Sequence, residues 1–211
     1  MKLLQRGAEA DLFLGFWHGL RVVRKIRVNK SYRIPVLDLA LRQTRTVHEA
    51  LIMHEAKKAG VPTPFIYMVD LEATEIVMEY IEGIRLREFL EGATSEMRIR
   101  LCTVLGEEIG KLHNYNIVHG DLTTSNAIVV GRVRLVLVDF GLSEFSQELE
   151  KRGVDILLGQ RVFQSTHHSY GVECYHALLE GYRNEVGSSL AEQVEARVKE
   201  IARRGRYAIE R

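Results

Sequence analysis

Two polar motifs bracket a stretch of chain long enough for one β-hairpin and little else. His119-Gly120-Asp121-Leu122-Thr123-Thr124-Ser125-Asn126 is followed by Asp139-Phe140-Gly141, whose Asp lies thirteen residues after Asn126. Between them, residues 127–130 and 135–138 are apolar runs of strand length, and Gly131-Arg132 supplies a turn. A hairpin returns the chain to the end from which it started, so Asn126 and Asp139 are brought to the same place. Their residue types point to one chemistry. Asp121 can orient an attacking hydroxyl or water, while the Asn126 amide oxygen and the Asp139 carboxylate are hard oxygen ligands of the kind Mg²⁺ prefers. Gly141 lets the chain turn sharply behind the second carboxylate. Taken singly, His-Gly-Asp reads as a turn and Asp-Phe-Gly as the end of a strand. At this spacing the two together predict a phosphoryl-transfer site.

Length and composition set the frame for that site. A chain of 211 residues suffices for one large domain or two small lobes. With 29 basic against 28 acidic side chains, overall charge gives no reason to expect a polyanion or a membrane as partner. Cys102 and Cys174 fall in apolar-spaced helical segments at no metal-binding spacing, which predicts buried thiols and favours a reducing, cytoplasmic setting. The first residues show no apolar run of signal-peptide length, and no segment approaches the roughly 20 apolar residues of a membrane span.

The organisation follows from periodicity. Residues 12–17 and 21–27 read as strands paired across a turn at His18-Gly19, and Val23 and Lys25 share one face by the period of two. From about residue 36 to 58, Leu39, Val47, Ala50, Leu51 and Met53 recur at helical spacing, until Gly60, Pro62 and Pro64 stop the pattern. Residues 65–70 and 75–80 predict two more strands, closed by Glu82-Gly83. The remainder is mainly helical. Thr94 or Ser95 can cap a helix whose Leu101, Leu105, Ile109 and Leu112 form an apolar face and which delivers His119 from a packed support. Further helices are expected over 147–163, 172–185 and 190–204. This predicts an α+β fold of two lobes. Residues 1–82 form an antiparallel sheet lobe with one long helix, residues 83–211 a larger helical lobe carrying the motif hairpin, and a ligand cleft lies between them.

A phosphoryl-transfer cleft also needs a cation on the phosphates, and Lys25 is placed for that role with Glu49 of the long helix as its partner. Val23 would then line the base pocket. The segment at residues 76–83 reads as a hinge strand whose Glu79 carbonyl and Ile81 amide can hydrogen-bond an adenine. The phosphate-covering loop falls to Gly7-Ala8-Glu9-Ala10, which carries a single glycine and an acidic side chain near the phosphates.

With these residues assembled, the chain resembles the protein-kinase-like fold and, more narrowly, the small atypical kinase of the KEOPS complex, the p53-related protein kinase family. The narrower likeness rests on Gly7-Ala8-Glu9-Ala10, Lys25, Lys30-Ser31-Tyr32-Arg33-Ile34-Pro35, Arg45 with Glu49-Ala50, the two motifs, Asp155 and Ser165-Thr166-His167. The resemblance implies a bilobal enzyme that binds Mg²⁺ and ATP and acts as a Ser/Thr kinase, with autophosphorylation, and as an ATPase. Asp121 would be the catalytic base, Asn126 and Asp139 the metal ligands, Lys25 and Glu49 the phosphate-binding pair, and Asp155 a brace for the catalytic loop. Its implied setting is a KEOPS assembly that supports threonylcarbamoylation of adenosine in tRNA. There the transferase subunit would sit at the C-lobe and a small regulatory subunit at the N-lobe. The basic tail at residues 199–206 is either a solvated helix end or a contact for tRNA or a partner.

The sequence also departs from ordinary protein kinases. No Ala-Pro-Glu motif follows Gly141, little chain separates it from Asp155, and Thr123 stands where many Ser/Thr kinases carry a lysine. Three readings therefore stand together: a KEOPS kinase/ATPase subunit, a free-standing Ser/Thr protein kinase, or a nucleotide-binding scaffold without catalysis.

Overall fold

A computed structural model describes residues 1–207, with side chains as far as Arg204. Five antiparallel strands form the N-terminal sheet: β1 (Lys2–Arg6), β2 (Ala10–Trp17), β3 (Leu20–Arg27), β4 (Ile66–Asp70) and β5 (Glu75–Glu79), in the order β1-β2-β3-β5-β4. The β2–β3 connection is a two-residue turn with His18 and Gly19 both at positive φ, 47° and 81°, the geometry that matches strand twist in a tight hairpin. β1 has no counterpart in the periodicity because all five of its residues are exposed. Its presence puts Gly7–Ala10 between two paired strands, not ahead of the sheet.

Helix α1 (Pro35–Lys58) packs against β4 and β5. Pro35 suits the first helical position, where its missing N–H removes a donor that lacks a partner anyway. The buried face of α1 is Asp38, Thr46, Glu49, Ile52, Met53 and Ala56. Of the apolar residues that marked the helix in the sequence, Leu39, Val47 and Leu51 are exposed and Met53 is buried. Ion pairing turns the helix this way: Asp38 accepts from Arg42 at 2.7 Å, and Glu49 is held by cations from β3. Apolar packing takes over only in the last two turns, through Ile52, Met53 and Ala56.

The larger, C-terminal part begins with β6 (Ile84–Arg85) and α2 (Leu86–Gly92), followed by α3 (Ser95–Asn114) and β7 (Ile117–Val118). A 3₁₀ turn at Thr124–Asn126 leads into the hairpin of β8 (Ala127–Val130) and β9 (Arg134–Leu137). Then come β10 (Glu144–Phe145), α4 (Leu149–Thr166), α5 (Gly171–Val186) and α6 (Ser188–Tyr207). Thr94 caps α3 by accepting from the Met97 amide at 3.3 Å. One apolar core runs through both parts, from Ile52, Met53 and Ile76 to Leu101, Leu105, Ile109 and Leu112. Among the described residues no helix is long and apolar enough to cross a membrane.

Helix α3, which leads into the catalytic loop, is set by backbone-to-backbone contact with α5. A Cβ on Gly181 would stand 1.9 Å from the Thr103 carbonyl oxygen, and one on Gly106 would stand 2.0 Å from that of Leu178. Neither backbone can yield without separating the helices. Gly181→Ala is therefore expected to destabilise the protein by about 3 kcal/mol through overpacking. Gly92→Ala, which meets open space, should change it by less than about 0.5 kcal/mol. Urea midpoints of the two variants check this.

Candidate active site

A cavity of about 340 Å³ opens between the sheet and the helical part. Leu12, Val23, Met53, Pro64, Met78, Ile128 and Val138 give it apolar walls, and Glu79, Tyr80 and Ile81 form one side. Lys25, Glu49, Asn126 and Asp139 are among its charged and polar groups, with Gln5 and Arg85 at the β1 side. The hairpin brings the last two together as its strand lengths require: Ala127 pairs with Leu137, and the Val138 amide donates to the Asn126 carbonyl at 2.9 Å. A second groove, about 430 Å³ between α4, α5 and α6, contains none of these residues.

The ions form one connected cluster. Lys25 Nζ lies 2.5 Å from Glu49 Oε1 and 2.8 Å from Asp139 Oδ1. Burial alone would discharge Lys25, but Glu49 and Asp139 outweigh it and hold the ammonium above its ordinary pKa. Asp139 shows the converse. Burial opposes its ionisation, and the Lys25 ammonium more than compensates, so its carboxyl lies below the usual range. Asp139 also occupies the left-handed region at φ 62°, an unusual conformation for a non-glycine residue, and its Oδ1 accepts from the Gly141 amide at 3.3 Å. An ionised carboxylate beside an amide oxygen fits Mg²⁺, which takes few protein ligands and completes its shell with water and phosphate oxygens.

The catalytic loop is held from behind. Asn126 Nδ2 donates to both the backbone carbonyl and Oδ2 of Asp121, each at 2.9 Å, which leaves the Asn126 carbonyl oxygen uncommitted to that pair. Asp155, fully buried on α4, accepts from the His119 amide at 2.6 Å and the Gly120 amide at 2.8 Å. His113 Nε2 stands 3.3 Å from the same carboxylate and its Nδ1 stands 2.9 Å from the Tyr182 hydroxyl. Because a carboxylate can only accept, Nε2 is the donor to Asp155, and Nδ1 shares the second hydrogen bond with the tyrosine hydroxyl. Burial works against the Asp155 charge, yet these donors prevail and depress its pKa. Gly120 sits at φ 77°, and a Cβ there would meet the Leu142 carbonyl oxygen at 2.3 Å, so no other residue fits this turn. A second brace joins Thr124 Oγ1 to His167 Nε2 at 3.0 Å and His167 Nδ1 to the Tyr170 hydroxyl at 2.9 Å. Burial keeps the imidazoles of His119 and His167 below their ordinary pKa.

Of the residues singled out in the sequence, Val23, Lys25, Glu49, Glu79, Ile81, Asn126 and Asp139 all line the cavity, and Asp121 adjoins it through Asn126. Gly7, Ala8, Glu9 and Ala10 do not. They form the β1–β2 turn, with the Gly7 amide on the Ala10 carbonyl at 3.1 Å, and Leu4, Gln5 and Leu12 wall the cavity on that side. Glu9 pairs with Arg45 of α1 at 2.5 Å, and the Ala8 carbonyl accepts from Lys30, so this turn is tied to α1 and its acidic group is neutralised. Three contributors were not legible in the sequence: Arg27, His113 and Arg85. Arg85 Nη1 donates to the Ser125 carbonyl at 2.8 Å, and its Nη2 to Gln5 Oε1 at 3.0 Å. A signal for Arg27 existed, since it lies two residues beyond Lys25 on the same strand face.

The comparison with known proteins agrees with this geometry. The model of the family described as protein tyrosine and serine/threonine kinase matches residues 1–156. The KEOPS complex subunit Bud32 of Pyrococcus abyssi is 42% identical over 213 residues, covering 98% of this chain and 96% of that protein. Two longer relatives carry the name probable bifunctional tRNA threonylcarbamoyladenosine biosynthesis protein. That of Methanothermobacter thermautotrophicus is 41% identical over 97% of this chain, and that of Methanosarcina mazei is 41% identical over 98%. The chain spans 36% of the length of each. The chain thus belongs to the protein kinase family, in the branch that includes the Bud32 proteins.

The Asp155 brace has a pH signature. Its folded pKa lies below that of an unfolded aspartate, about 3.9, so the stabilisation is complete above that pH and is lost as pH falls through the folded value. Asp155→Asn should cost about 3 kcal/mol at pH 7, because an amide cannot accept from all three donors, and the difference from wild type should narrow below about pH 4. Urea unfolding of both proteins across that range measures it.

Proposed function

We propose that the cavity binds Mg·ATP and that the chain is an atypical kinase/ATPase working as a subunit of a KEOPS assembly in tRNA threonylcarbamoyladenosine synthesis. The observation that carries the chemical part is the convergence of Lys25, Asn126 and an ionised Asp139 on one cavity, with Asp121 hydrogen-bonded to Asn126. The near-complete overlap with the Pyrococcus KEOPS subunit supports the assembly, and the name of the longer Methanothermobacter relative supports the modification.

In this reading the adenine lies among Val23, Met78 and Ile128, against the backbone of Glu79 to Ile81. Lys25 is the phosphate cation, and Asn126 and Asp139 are the metal ligands. Bound Mg²⁺ would supply charge neutralisation at the β- and γ-phosphate oxygens. Asp121 orients the attacking hydroxyl or water and takes its proton. Rigidity behind the loop, from Asp155 and His167, keeps that carboxylate at one distance from the γ-phosphate without reorganisation.

The segment after Gly141 favours this reading over a free-standing protein kinase. Ser143 Oγ donates to the His119 carbonyl at 2.6 Å, β10 pairs with β7, and the Ser146 amide donates to the Asn116 carbonyl at 2.7 Å. Helix α4 then begins at Leu149. No extended platform for a peptide is left, so water, a serine or threonine of this chain, or a group presented by a partner is the acceptor. The basic tail is a further contact for tRNA or a partner. Arg204 already bridges to Glu150 at 3.1 Å, and the side chains of residues 205–211 lie outside the described residues. Buried free Cys102 and Cys174 suit a cytoplasmic protein.

The test is ATP turnover, with the fate of the phosphate followed, alone and with the threonylcarbamoyl-transferase and small regulatory subunits added. Asp139→Ala and Asp121→Ala should each lower turnover by about 100-fold or more, and generic protein substrates should be phosphorylated slowly. Unchanged turnover in both variants would refute the assignment.

A further inference from the structure

Glu49 is held by two cations. Its Oε1 takes Lys25 at 2.5 Å, while its Oε2 takes Arg27 Nη2 at 2.6 Å, and both Glu49 and Arg27 are buried, with side-chain exposures of 2% and 5%. Arg27 Nη2 also donates to the Arg45 carbonyl at 3.1 Å, one turn before Glu49 on α1, and the Arg27 backbone amide donates to the Thr74 carbonyl at 3.1 Å in the β4–β5 turn. One guanidinium thus joins β3 to α1 at two points, while the Arg27 backbone is fixed to the turn that leads into β5, the neighbouring strand.

The two cations differ in what they are free to do. Lys25 is divided between Glu49 and Asp139, which Nζ meets at 2.8 Å, and a nucleotide in the cavity asks it for a third partner. Arg27 has no such competing demand. When Lys25 turns toward phosphates, a Glu49 dependent on it alone would be left as a buried carboxylate with a weakened counter-ion, a state costly enough to expel the side chain and the helix with it. We infer that Arg27 is a positioning residue that keeps Glu49 and α1 seated whether or not Lys25 is engaged, so that the helix position is independent of the nucleotide. Helix position commonly gates kinase-fold sites through the lysine–glutamate pair. Here the second cation removes that gate, and a guanidinium, permanently charged and more weakly hydrated than an ammonium, suits this buried position better than a second lysine. The inference rests on the reading of the cavity as a nucleotide site, and its test separates the two.

Hydrogen exchange of α1, over residues 46–56, is to be followed in wild type, Lys25→Met, Arg27→Met and Arg27→Lys, each with and without a non-hydrolysable Mg·ATP analogue. In nucleotide-free protein, Lys25→Met should exchange within about twofold of wild type and Arg27→Met about tenfold faster, the loss expected when a buried charged donor is removed. Arg27→Lys should fall between them, because it keeps the charge but its side chain is one bond shorter than the reach of Nη2, which meets both Glu49 and the Arg45 carbonyl. The analogue should leave α1 exchange unchanged in wild type and alter it in Arg27→Met, a response that a purely structural role would not give. Turnover by Arg27→Met should show kcat down by about tenfold with KM for ATP within about threefold. Release of α1 by Lys25→Met alone would overturn the clamp even if Arg27→Met does not fold. So would wild-type exchange in Arg27→Met. Absence of analogue binding to wild type by calorimetry would instead overturn the nucleotide reading and leave the nucleotide-free comparison standing.

Discussion

A carboxylate buried as deeply as Glu49 is tolerated only where cations are built against it, and the rest of the site is arranged around that requirement. Lys25 and Arg27 come from alternate positions of one strand, so the period of two places both on the face that meets α1. Asp139 arrives from the far side of the cavity on the return of the β8–β9 hairpin and closes the cluster with a second negative charge. Two cations and two anions balance. The three parts of the molecule that must be correctly aligned for phosphoryl transfer, namely the sheet, α1 and the metal motif, thus share one buried electrostatic contact. The same contact orients α1, overriding the apolar stripe of Leu39, Val47 and Leu51, which is left facing outward.

A second and separate polar system fixes the catalytic loop. Asp155 collects two backbone amides and an imidazole in the interior, and His113 passes the chain of donors on to Tyr182 in α5. Close glycine packing of α3 on α5 makes that reach possible, since it sets the distance between His113 and Tyr182. Because each member of the chain is hydrogen-bonded to the next, the loop is held by the same packing that brings the helices close. Catalytic geometry is thereby tied to the fold's most densely packed interface, and not to the surface loop in which Asp121 sits.

What the sequence revealed was whatever is local. The motif hairpin was legible because strand length and turn chemistry lie within one short segment, whereas the Asp155 brace was implied only by the family resemblance. Apart from the Lys25–Glu49 pair, features set by distant partners were not legible. Strand β1 has no buried residue to announce it, so the Gly7–Ala10 turn was placed outside the sheet and its Glu9 was left without the Arg45 that neutralises it. The burial of α1 through Asp38 and Glu49 runs against the usual rule that apolar spacing marks the inner face. Arg27 looks like one more charge in a basic strand until Glu49 stands opposite it. The elements that escaped the periodicity, β6, β7, β10 and α2, have two to seven residues each, too few for a pattern.

The short segment from Gly141 to α4 ties these observations together. In a kinase that selects peptides, this region must be long and able to change conformation, and the long helix must be free to respond to it. Here the segment is fastened at Ser143, Phe145 and Ser146, and the Ser143 carbonyl meets His48 of α1 at 3.0 Å. Neither component of the usual switch retains freedom: α1 is held by buried cations and the segment by the loop it covers. On the proposed reading, switching in such a site has to act on what enters the cavity, because Lys25, Glu49 and Asp139 are already assembled. A kinase fold built in this way is suited to a fixed position beside other subunits, where the neighbour supplies the selectivity that its own surface omits.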